Sequence, residues 1–135
     1  MTFDEKYDHI ADRFEALEGN SIHSTSWKEW QIDGRTLYFV HDVYNITINA
    51  GLPTWISYHG QSFEHEDVHE AIASFRRLHL DDAANAIEAC FKVYKEHGNR
   101  FHDDFEGYEF SDEIWDHGEE IYNALYAYLQ EFSGS

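Results

Sequence analysis

Residues 30–49 read WQIDGRTLYFVHDVYNITIN, and the fold class turns on them. Asp33-Gly34 stands between runs of β-prone residues, the local mark of a two-residue hairpin turn. Over the same stretch Leu37, Val40, Tyr44 and Ile48 recur at three and four, the spacing that lays one apolar stripe along a helix. Local signals leave two readings open, a helix or a small hairpin near residues 28–40 that would make the fold α+β. Gly51 and Pro53 end whichever element forms, because proline lacks the amide that both need.

Elsewhere the periodicity is helical. Thr2-Phe3-Asp4-Glu5 is a capping box, and Phe3, Tyr7, Ile10, Phe14 and Leu17 continue it as one apolar stripe. The polar EGNSIHSTS (18–26) reads as a connection leading to a short helical turn at residues 26–30. Asp81 or Asp82 caps a helix bearing Ile87, Cys90, Phe91 and Tyr94, which stops at Gly98. Ser111 opens a last helix whose stripe runs through Ile114, Gly118, Ile121, Leu125, Tyr128 and Phe132, flanked by Trp115.

The 135 residues are long enough for one domain with its own core. An aromatic content of 17% sets the chain apart from disordered acidic tails. No apolar run is long enough to span a membrane, and the opening MTFDEKYDHI is charged from Asp4, so no secretory signal and a cytoplasmic location are expected. Cys90 stands alone on an apolar helix face and reads as a core residue.

Charge is the extreme quantity. Twenty-seven carboxylates against nine Lys and Arg give −18; residues 1–100 contribute −8, and residues 101–135, with ten acidic and no Lys or Arg residues, contribute −10. Such a field repels nucleic acid and anionic membranes and attracts basic protein surfaces. Solubility alone is the plainer reading of an acidic chain.

HEDVH (65–69) has the H-E-x-x-H spacing of zinc peptidases, with His65 and His69 as ligands and Glu66 as base. Val68, Ala71, Ile72, Phe75 and Leu78 place it in the first turn of an amphipathic helix, where Glu64, Glu66 and Asp67 favour the dipole. Charged Asp67 and Glu70 stand where such peptidases keep uncharged residues, and Phe75 occupies the place of a third histidine. The motif is therefore read as a solvated helix start, and a small metal-dependent hydrolase is the alternative. No nucleophile elbow or phosphate-binding glycine loop occurs, so no catalytic residue, cofactor or metal is expected.

The last helix carries the stronger signal. At ~100° per residue Asp112, Glu113, Asp116, Glu119 and Glu120 share the face opposite the apolar stripe, with neighbours ~5–6 Å apart, close to the spacing of phosphates along a strand. Asp103, Asp104, Glu106 and Glu109 lie just before them, beside Phe105, Tyr108 and Phe110. A row of anions with no interspersed lysine suits a surface built to hold DNA. Trp27, Trp30 and Trp55 offer a different reading, an apolar docking patch.

The run TLYFVHDVYNITINAGLPTWISYHGQSFEHEDVHEAIASFRRLHLDDAANAIEACFKVY (36–94) and the closing FSDEIWDHGEEIYNALYAYL resemble a bacterial domain-of-unknown-function family that includes an acidic DNA-mimic protein. Asn49-Ala50-Gly51-Leu52 stands at that family's Asn-Gly-Gly-aromatic turn, departing from it at Ala50 and Leu52. Trp55 and Tyr58 fall in its aromatic segment and Gly60-Gln61-Ser62 at its Ser/Gly break. The resemblance implies a mostly helical fold, which favours helix over 36–49, and carries over no catalytic residue. It also implies that an acidic member can occupy the DNA-binding surface of a basic partner.

The expected protein is an all-α single domain over 1–135, a bundle of five to seven helices. It is expected to bind a basic protein, such as a DNA-binding protein or a nuclease toxin for which it is the immunity protein, without contacting nucleic acid or membrane.

Overall fold

In the computed structural model, which describes residues 1–21, 27–59, 65–103 and 105–133, the chain from Ile32 to Ala50 is one helix. The α-helices among those residues are α1 (Phe3–Ser21), α2 (Ile32–Ala50), α3 (Leu52–His59), α4 (Glu66–Arg77), α5 (Asp81–Glu96), α6 (Asp112–Trp115) and α7 (Gly118–Ser133). Short 3-10 turns occupy Trp27–Glu29 and Tyr108–Ser111, and no strand occurs among the described residues. Most of the 18–26 connection and the Gly60-Gln61-Ser62 break lie outside them.

The hairpin reading of 28–40 is corrected. Asp33 falls in the first turn of α2, where a carboxylate faces the positive end of the helix dipole. The β-branched Thr36, Val40, Val43 and Thr47 are all buried, and Thr36 returns its hydroxyl to the Ile32 carbonyl at 2.7 Å. Propensity differences of a few tenths of a kcal/mol per residue yield to that much burial.

Helix α2 packs against α1, α3, α4, α6 and α7, and α4 in turn against α5. Leu37, Phe39, Val40 and Val43 meet Ile10, Trp55, Phe75, Ile87 and Leu125 in one core. The N-terminal capping box forms, with the Glu5 amide on the Thr2 hydroxyl (3.2 Å) and the Thr2 amide on the Glu5 carboxylate (3.3 Å). No helix among the described residues is long and apolar enough to cross a membrane.

The corner between α2 and α3 positions the acidic C-terminal third. Gly51 holds φ 93°, and its amide still bonds to the Thr47 carbonyl at 2.9 Å. The Tyr108 ring lies against Gly51 where a side chain would stand, and its hydroxyl donates to the Ala50 carbonyl at 2.7 Å. Three residues on, Ser111 Oγ accepts the Leu52 amide at 2.9 Å. The Tyr108–Ser111 turn is thereby fastened to the corner, and α6 departs from it.

Gly51→Ala combines backbone strain with displacement of Tyr108 and is expected to lower the free energy of urea unfolding by about 2 kcal/mol or more. Gly98→Ala places a carbon at φ 75° with nothing within 4 Å. It should show the strain alone, about 1 kcal/mol. Equal losses would mean that Tyr108 does not fill the corner.

Candidate functional site

An unbroken last helix from Ser111 is also corrected. The Asp116 amide reaches the Asp112 carbonyl (3.1 Å), but the His117 amide reaches only Ile114 (3.2 Å), a 3-10 step that ends α6. Helix α7 restarts with the Ile121 amide on the His117 carbonyl at 2.9 Å. Gly118 sits at the restart beneath Tyr44 of α2, whose ring carbons would lie 3.0 Å from an added Cβ. Close packing against α2 thus fixes where the chain turns. Trp115, assigned to the flank of the apolar stripe, is 51% exposed as a result.

The turn rearranges the acidic row without burying it. Asp112, Glu113, Asp116, Glu119 and Glu120 are all exposed. His117 stands between two of them, 3.9 Å from Glu113 and 3.3 Å from Glu120. Facing the turn is the start of α5, and His79, Asp81, Asp82, Glu113, His117 and Glu120 line one shallow cleft. Asp116 and Glu119 border an adjoining depression with Asn123. Asp81 and Asp82 were read only as helix caps. Thirty residues of chain separate them from Glu113, and no local pattern brings them there.

The preceding carboxylates divide. Asp103 is exposed and accepts the Phe105 amide at 2.8 Å, and Glu109 is exposed. Asp104 lies outside the described residues. Glu106 is engaged within its own loop: its Oε1 accepts from His97 Nδ1 (2.6 Å) and from the His102 amide (2.9 Å). It is half-buried there, whereas the sequence reading placed it among the partner-binding carboxylates. Among the described residues, His97, His102 and Glu106 are the group whose donor atoms converge as metal ligands would. Their H-x4-H-x3-E spacing was not singled out from sequence.

HEDVH has a structural role in the fold. His65 takes a left-handed conformation (φ 57°) before α4, so only His69 stands on the helix that the zinc motif expects to carry both histidines. Both rings meet the Phe91 ring edge-on, with centroids at 5.0 and 6.0 Å. Glu66 pairs with Lys28. Asp67 accepts from Trp27 Nε1 and from His59 Nδ1, each at 2.9 Å. Glu64 lies outside the described residues. The tryptophan patch does not form: Trp55 is wholly buried, stacks on His59 at 4.5 Å and donates to Asp42 at 2.9 Å, while Trp27 and Trp30 are half-buried.

Two histidines deep in the fold are held in opposite charge states. Burial opposes a charge on His59, but hydrogen bonds to Asp42 (3.2 Å) and Asp67 outweigh it and raise its pKa from 6.5 to about 9. Burial lowers that of His41 to about 4, against a weaker pull from Asp42. Its neutral ring joins Tyr122 (Nδ1 to hydroxyl, 2.6 Å) to Asn45 (Nε2 to amide, 2.8 Å), and Tyr7 completes the chain on Asn45. Burial also pushes the Cys90 thiol up to about 12, in keeping with a core residue. Comparison with protein-family models, with curated proteins and with solved structures gives no match.

Stability should therefore peak near neutral pH. The His59 contribution is fully present below its unfolded pKa of 6.5 and is lost as pH rises through about 9. The His41 contribution is fully present above 6.5 and declines as pH falls toward 4, because the unfolded chain takes up the proton first. Urea midpoints measured across this range should fall on both sides, and His59→Gln should flatten the alkaline side alone. An unchanged alkaline limb in that variant would mean the Asp42–His59–Asp67 clamp is not what titrates.

Proposed function

We propose that this chain is a non-enzymatic binding protein of the cytoplasm that occupies the basic, nucleic-acid-binding surface of a partner protein. A DNA-binding protein or a nuclease held by its immunity protein would present such a surface. The observation that carries the reading is the convergence of exposed carboxylates from two distant segments, Asp81 and Asp82 with Glu113 and Glu120, around one cleft, with Asp116 and Glu119 beside it. No Lys or Arg follows Arg100, and among the described residues the lysine that reaches this region is Lys6 of α1, on Asn123 at 2.7 Å beside the depression. Arg and Lys that otherwise hold phosphates would pair with these groups, and the shared field would speed encounter. The resemblance to a family with an acidic DNA mimic points the same way. The geometry of HEDVH gives the hydrolase alternative no comparable support.

Glu113→Gln, Asp116→Asn and Glu120→Gln together are expected to weaken the partner complex about tenfold or more, through faster dissociation from the cleft as well as slower association. An equal charge removed from the exposed side of α1 (Asp8→Asn, Asp12→Asn, Glu15→Gln) should have a much smaller effect. Partners captured on the immobilised protein should be released by salt and displaced by duplex DNA. Equal losses from both triples would reduce the effect to bulk charge. Captured partners that neither salt nor DNA displaces would end the proposal.

A further inference from the structure

Away from the acidic cleft, the ten-residue loop from His97 to Glu106 gathers two imidazoles and a carboxylate. His97 ends α5, its amide bonded to the Val93 carbonyl at 3.1 Å. Gly98 and Asn99 both turn left-handed, at φ 75° and 63°, and the Asn99 amide reaches back to the Tyr94 carbonyl at 2.9 Å, so the chain reverses. Phe101 packs on the Tyr94 ring with centroids 5.4 Å apart and fastens the loop to the core. The reversal lays the His102 ring over that of His97, with centroids 3.7 Å apart and planes within 13°. Glu106 closes the loop, one oxygen on His97 Nδ1 and the other 3.5 Å from His102 Nδ1. One donor atom from each residue lies within 4.8 Å of the other two.

We propose that His97, His102 and Glu106 form a binding site for a first-row divalent transition-metal cation such as Zn2+. Two imidazoles and one carboxylate suit these ions, whereas Mg2+ and Ca2+ favour oxygen donors alone. Three protein ligands leave further coordination positions to water. Nearly parallel rings cannot direct both nitrogens at one ion, so one ring turns on binding. His102 is the one that turns: its side chain is 56% exposed, against 27% for His97 and 21% for Glu106. The ion replaces the imidazole–carboxylate hydrogen bonds. Exposed Asp103 and the net charge of −18 draw cations toward the loop. The site shares no residue with HEDVH or with the acidic cleft, and its failure would leave the reading of the cleft intact.

Calorimetric titration of the tag-free full chain with Zn2+ at neutral pH tests the site. One ion per chain is expected, with affinity reduced roughly tenfold or more in His102→Ala and in Glu106→Gln. The double substitution His65→Ala, His69→Ala should bind as the parent does. Because His102 is a surface residue, circular dichroism of His102→Ala should match the parent, which separates loss of a ligand from loss of fold. Titration with Mg2+ should show no dependence on His102. The proposal is overturned if one-to-one Zn2+ binding is absent, if it survives His102→Ala, or if it disappears with His65 and His69.

Discussion

Helix α2 meets five other helices, so most of its buried polar side chains find partners inside the protein, Thr47 Oγ1 and Arg35 Nε being exceptions. The arrangement of the remaining helices follows from how they do so. His41 bonds to Tyr122 of α7 and to Asn45 on its own helix, and Tyr7 of α1 reaches Asn45. That chain of hydrogen bonds ties α1 and α7 to one side of α2. Tyr44, a turn away, lies on Gly118 and sets the point at which α7 begins. At the far end Gly51 receives Tyr108, and Ser111 receives the Leu52 amide. The acidic turn between α6 and α7 is therefore placed by α2 from both ends, although α2 contributes no carboxylate to it.

Charge is compensated differently in the two parts of the chain. Arg35 and Arg77 share the buried Glu70 carboxylate at 3.2 and 2.6 Å, Lys28 pairs with Glu66, and Arg76 lies 3.4 Å from Glu88. The exposed Lys28–Glu66 and Arg76–Glu88 pairs contribute only about 0–1 kcal/mol each, but they lower the local field. For the carboxylates beyond Arg100, the ion-pair partners among the described residues are imidazoles: His97 and His102 at Glu106, and His117 between Glu113 and Glu120. Repulsion among the carboxylates of the cleft is thus left for solvent, ions or a partner to relieve. Each like-charged pair costs a few tenths of a kcal/mol, small beside the burial that holds α6 and α7 in place.

Helices with one apolar stripe were legible in the sequence, because period and capping are local. The Thr2–Glu5 box, the stripe of α4 and the buried Cys90 all stand where the pattern placed them. Residues 30–49 were ambiguous because α2 is apolar on most sides, and a helix buried all round loses the contrast that marks amphipathic ones. The break at His117 was missed for a related reason. Gly118 fits an apolar stripe as well as it fits a close approach, and Tyr44, which decides between them, is far away in sequence. Asp81 and Asp82 at the cleft, and the His97–Glu106 loop, depend on packing or chain reversal, to which a helical wheel is blind. HEDVH shows the opposite case: its spacing suggests a zinc helix, which the charged Asp67 and Glu70 argued against in the sequence, and His65 stands left-handed ahead of α4 instead of on it.

The broken helix also changes which partner the acidic surface would suit under the proposed function. A straight row of anions at phosphate spacing would imitate one strand of a duplex and spread its attraction over several basic residues. Carboxylates converging from α5, α6 and α7 on a cleft instead concentrate potential at one place, where a low-dielectric wall strengthens it. A guanidinium can bond two carboxylates at once in such a cleft, while a lysine offers a single point of charge. A partner that docks there would accordingly owe much of its binding to one protruding arginine, with Asp116 and Glu119 steering the approach from the rim. If the proposed function holds, that geometry would imitate a phosphate cluster anchoring one side chain, and the wider negative field would supply rate more than affinity.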